Sequence, residues 1–147
     1  MLKKRLRDIV YLLGMVATAS VHASDLCSVV TPADVESIIK DKVVAAQPLK
    51  YTNGCRYATT KPGGGVTLNF LNTGGDAKEE FAGQKRLQAL SGKTQDIGGL
   101  GDEAVFNIVL IVRKGDHVLM VEPQALAETQ RREQAMSLAR LVLKKQN

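Results

Sequence analysis

Between Val43 and Glu122 the chain delivers its apolar residues in short bursts separated by glycine-rich turns, a rhythm that favours a sheet. Val66, Leu68 and Phe70 alternate with polar neighbours, which turns one face of that segment inward. Residues 55–59 and 66–71 therefore read as two strands, joined through Lys61-Pro62-Gly63-Gly64-Gly65 as a hairpin with a loose loop. Ahead of them, residues 43–52 form an irregular or edge strand broken by Pro48, with a turn at Asn53-Gly54. A brief strand over 94–97 precedes three further β segments at 104–107, 108–113 and 117–122. The run from Ile108 to Val112 is continuously apolar and predicts a central position, and Lys114-Gly115-Asp116 makes the tight turn after it.

Three stretches carry helical signals instead. Thr31-Pro32-Ala33-Asp34 is a helix start: a capping hydroxyl, a proline suited to the first helical position, and a carboxylate facing the positive helix end. Val35, Ile38 and Ile39 then share one face, and the helix closes near Lys40 or Asp41. Residues 76–90 follow as a second helix capped by Asp76 and ended by Ser91-Gly92, in spite of Gly83. Residues 126–145 form the longest, with Ala135, Leu138, Ala139 and Val142 on its apolar face and Arg131, Arg132, Glu133 and Arg140 toward water. The prediction is an α+β fold: an antiparallel sheet of about five or six strands packed by helices and stapled by one disulfide. Two halves are similar in element order, without a residue-level repeat.

The first residues set the compartment. Leu-Lys-Lys-Arg-Leu-Arg at 2–7 precedes an 11-residue apolar run, Ile9 to Ala19, and Val21-His22-Ala23 supplies the small residues a signal peptidase reads. A bilayer span needs roughly 20 apolar residues, so the segment reads as a signal peptide over 1–23, followed by a single α+β domain over 24–147. Membrane contact is expected only through an uncleaved signal. The full chain of 147 residues carries 20 basic and 15 acidic residues, net +5, with a pI near 9.3. Lys3, Lys4, Arg5 and Arg7 take four of those basic residues and Asp8 one of the acidic ones, leaving 16 against 14, or +2, for the domain. The basic pI therefore says little about nucleic acid, and with 4% aromatic residues and no Trp there is no stacking platform for single strands.

In an oxidising compartment the two cysteines of the chain, Cys27 and Cys55, are most simply read as one disulfide, and their separation of 28 suits a staple rather than a Cys-x-x-Cys redox pair. His117 is the only histidine outside the signal, so no metal site and no cofactor is expected, and hydrolysis would rest on that one imidazole. Asp102-Glu103 is a carboxylate pair better read as part of a turn than as an acid/base couple, because adjacent strand residues point to opposite faces. Gly98-Gly99-x-Gly101 lacks the spacing and the lysine of a phosphate loop and is followed by a strand, so Gly98, Gly99, Gly101 and Asp102 read as a structural turn or a ligand loop.

Cys27-Ser28-Val29-Val30-Thr31, Cys55-Arg56-Tyr57, Gly99-Leu100-Gly101-Asp102-Glu103-Ala104, Arg113-Lys114-Gly115-Asp116 and Ala139-Arg140-Leu141-Val142 follow one another across nearly the whole of 24–147. In that order they resemble a bacterial family of small exported lipoprotein-like domains of unknown function. The resemblance implies an α+β domain of the cell envelope with its two cysteines joined, and it brings no catalytic residues. Many such domains carry an additional lipid-bearing cysteine, which this chain lacks, and this favours a soluble periplasmic or secreted product. The expected function is non-catalytic binding of an envelope protein, a peptide or a small ligand. A hydrolase relying on His117 and a structural component of an envelope assembly are the alternatives.

Overall fold

The structure, a computed structural model, describes residues 25–71, 74–124 and 127–146. The predicted signal peptide lies outside the described residues. Its elements run α1 (Leu26–Val29), α2 (Pro32–Ile39), β1 (Val43–Pro48), β2 (Asn53–Thr59), β3 (Gly65–Leu71), α3 (Ala77–Leu90), β4 (Gln95–Asp96), β5 (Glu103–Phe106), β6 (Leu110–Lys114), β7 (His117–Gln124) and α4 (Glu128–Lys145). One antiparallel sheet of seven strands, ordered β1-β2-β3-β7-β6-β5-β4, replaces the expected five or six. The two meanders β1-β2-β3 and β5-β6-β7 meet through β3 and β7, whose Leu68 faces Val121 and whose Phe70 faces Leu119. The fold class is α+β, as the alternation of signals predicts.

Both faces of the sheet are covered, and the strand alternation decides by which helix. Cys55, Tyr57, Val66, Leu68, Leu110, Val112, Leu119 and Val121 turn toward one side, where they meet Leu26 and Val30 at α1, Val35 and Ile39 of α2, and the α4 stripe Ala135, Leu138, Ala139 and Val142. The intervening residues Val105, Ile111 and Val118 turn to the other side, where Ala77 and Phe81 of α3 cover them. All four residues of the predicted α4 stripe are fully buried. Burying a Val or Leu completely contributes about 1.5–3 kcal/mol, so the helices are held mainly by these stripes.

Several boundaries move. Asn53 and Gly54 belong to β2, paired with Phe70 and Asn69, so the bend falls before them; a Cβ at Gly54 would meet the Leu49 side chain and the Leu68 carbonyl. Ile108, expected inside a central strand, sits in the β5–β6 turn and is half-exposed, while Leu110, Ile111 and Val112 are buried; β7 rather than β6 takes the centre. The one-turn α1 went unforeseen, since four residues show no period. Pro48 ends β1, and a bulge between Val43 and Ala45 interrupts its pairing, both fitting an edge strand.

Candidate functional site

The glycine-rich loop is built against the β6–β7 turn. Asp102 N–H donates to the Arg113 carbonyl at 2.8 Å, and its carboxylate accepts from the Gly115 N–H at 2.7 Å, from the Arg113 guanidinium at 3.2 Å and from Lys114 Nζ at 3.4 Å. Arg113 Nε also donates to Glu103 at 2.7 Å, across a register pair of β5 and β6. The Gly115 N–H, then the ammonium of Lys114 and the charge of Arg113, hold the Asp102 carboxyl below its ordinary range against a smaller opposing effect of burial. Leu100 meanwhile enters the core at 3% exposure. Gly98 and Glu103 border a hollow of about 280 Å³ between the loop and α3, spanned by the Lys85–Asp96 ion pair at 2.6 Å. The polar groups of Asp102, at the surface, are thus engaged by the protein's own β6–β7 turn.

The other singled-out residues are dispersed. His117 is exposed at the start of β7, where its ring meets Phe70 edge-on at 5.8 Å; among the described residues no hydroxyl or carboxylate is hydrogen-bonded to it. Cys27 and Cys55 form a disulfide that joins α1 to β2, and the buried Tyr57 hydroxyl, two residues on, reaches the carbonyls of Val30 at 2.7 Å and Leu26 at 3.1 Å. Burial, with the charges of Asp25 and Asp34, pushes the Tyr57 phenol far above its ordinary value. Among the described residues no three His, Cys, Asp or Glu side chains converge as metal ligands.

A concavity that the sequence did not reveal lies at the opposite end of the sheet from this loop. The β5–β6 turn, β4 and the first turns of α4 enclose a groove of about 370 Å³. Lys93, Arg131 and Arg132 border it beside a single carboxylate, Glu128, and Phe106 and Ile108 form its apolar wall. Asn107 is anchored there by donating its side-chain N–H to the Gln88 carbonyl at 3.1 Å. Arg131 and Arg132 read in sequence as a solvated helix face, and nothing local brings Lys93 to them; their proximity arises only when β4 pairs with β5 and α4 packs back on the sheet. Lys145, near the other end of α4, donates to Asp34 at 2.7 Å and to the Val29 carbonyl at 3.1 Å. A wider hollow of about 600 Å³ follows α3, bordered by Asp76, Glu79 and Glu80 in its first turn and by Leu87 and Leu90 toward its end.

Comparison with protein-family models, with curated proteins and with solved structures returns no match to this chain. Among the described residues no helix is long and apolar enough to cross a membrane.

Proposed function

We propose that the protein is an exported domain of the bacterial cell envelope that binds a partner protein, peptide or small ligand without transforming it. The observation that carries the reading is the Cys27–Cys55 disulfide in a chain whose first 23 residues have the layout of an export signal. The resemblance of its motif order to that of small exported lipoprotein-like domains supports the same placement. Binding is favoured over chemistry because Asp102 and Glu103 are engaged by Arg113, Lys114 and Gly115, and His117 stands against Phe70.

Intact-mass analysis of the protein recovered from the native periplasm tests export: the mass expected is that of residues 24–147 less two hydrogens. Retained Met1 on a membrane-bound product, or free thiols, would overturn it. Binding is tested by cross-linking in the intact periplasm followed by mass spectrometry. A stoichiometric partner or co-eluting small molecule is the supporting result. Turnover of a substrate that is abolished by His117→Ala in a folded protein would replace binding with hydrolysis.

A further inference from the structure

We propose that the groove between the β5–β6 turn and the start of α4 is a carboxylate-binding site, made for a carboxylate that carries an adjacent apolar group and an amide, as the last residue of a peptide does. The inference rests on the binding reading above and gives it a location and a ligand chemistry.

Lys93, Arg131 and Arg132 line one groove, and Glu128 is the one carboxylate among its lining residues. Glu128 and Arg132 stand four apart on α4, the spacing at which a helix joins opposite charges, yet no ion pair forms between them. No ion pair among the described residues engages Lys93 or Arg132. Guanidinium and ammonium together suit a carboxylate, the first through paired N–H donors and the second as a compact charge.

Phe106 ends β5 and Ile108 lies half-exposed at the turn, so an apolar surface stands next to the cations. A bare inorganic anion would leave that surface unused. A ligand with a side chain beside its carboxylate covers both. The Asn107 side-chain N–H is committed to the Gln88 carbonyl, which fixes the side chain and leaves its carbonyl oxygen able to accept from a ligand N–H. The volume lies at the small end of the range for ligand pockets, about 300–1,000 Å³, which suits one residue rather than an extended chain.

The test is a titration of the ¹⁵N-labelled, disulfide-bonded protein, produced from the full chain by export. The probes are N-acetyl-leucine, its neutral analogue N-acetyl-leucinamide, and the peptide acetyl-Ala-Ala-Leu. Saturable amide shifts are expected at Gln95, Asn107, Ile108 and Thr129 with both acids and not with the amide. Tighter binding of the peptide assigns the site to peptide C-termini, and equal binding assigns it to free acids. Lys93→Glu and Arg132→Glu, both at exposed positions, are each expected to weaken binding by about tenfold, the worth of one charged hydrogen bond. Arg132→Gln, a gentler change, is expected to move in the same direction, with the thermal midpoint unchanged throughout. Binding of the amide as tight as the acid, no saturation by either acid, or unchanged affinity in the charge variants would overturn the proposal. A periplasmic partner captured equally well by wild type and Arg132→Glu would overturn the groove while leaving the binding reading intact.

Discussion

Gly99 and Gly101 share the left-handed region, at φ 71° and 63°, but their surroundings differ. Around Gly99 a Cβ would meet nothing within 4 Å, whereas at Gly101 it would lie 2.5 Å from the Arg113 carbonyl and 2.6 Å from a Val112 methyl. That carbonyl is the one accepting the Asp102 N–H, so it cannot retreat without breaking the loop's attachment to β6. Gly99→Ala is therefore expected to lose only the backbone penalty, about 1–2 kcal/mol. Gly101→Ala should lose that and about 1–3 kcal/mol more for the forced overlap. Urea unfolding of the two variants checks this, and equal losses would mean that the loop is not pinned to β6. The sequence identified both glycines as turn-formers but gave no means of ranking them, because the crowding at Gly101 comes from β6, ten and more residues away along the chain.

At the scale of elements, α2 illustrates how local chemistry and distant packing share one side chain. Thr31 Oγ1 accepts from the Asp34 N–H at 3.2 Å while the Asp34 carboxylate accepts from the Thr31 N–H at 2.8 Å, a reciprocal cap between residues three apart, of which the sequence showed the Thr31 half and the favourable charge of Asp34 but not the return bond. The same carboxylate also receives Lys145, which no local pattern indicates, and that ammonium ties the end of α4 to α1 and α2. Lys145 first, then the Thr31 N–H, hold the Asp34 carboxyl below its ordinary range, against a smaller opposing effect of burial. A lowered value means that the unfolded chain takes up the proton first as pH falls. The contribution of Asp34 is therefore complete above about pH 4, the usual aspartate value, and is lost as pH drops through the folded value; Asp102 acts with the same sign. Lys145→Met keeps the cap and removes the partner. It should lower stability at neutral pH by no more than about 1 kcal/mol, as for a solvent-accessible pair, and make the loss of stability below pH 4 shallower. An acid profile parallel to that of the wild type would show that the Lys145 contact does not hold in solution.

For the whole molecule, the strands were legible because their residues alternate, and the layering because the α4 stripe repeats at the helical spacing. Two features were not legible: the central pairing of β3 with β7, which joins segments fifty residues apart, and α1, which is too short to show a period. A four-residue helix does not persist on its own propensity, so α1 depends on what holds it to the sheet. Two links do so: the disulfide from Cys27 to Cys55, and the Tyr57 hydroxyl on the carbonyls of Leu26 and Val30. The disulfide closes a loop across 28 positions, for which loss of the cross-link is worth about 2–4 kcal/mol. Replacing both cysteines by Ala should lower stability by that amount. It should also speed hydrogen exchange at the Val30 amide, bonded to the Leu26 carbonyl at 2.9 Å, beyond the change seen in β3 and β7. Tyr57→Phe should leave the Val30 carbonyl without its buried donor, at about 1–3 kcal/mol. Because both changes release the same segment, their combination should fall short of the sum. Strict additivity, or an Val30 amide no more labile than the central strands, would show that α1 is held by the burial of Leu26 and Val30 alone.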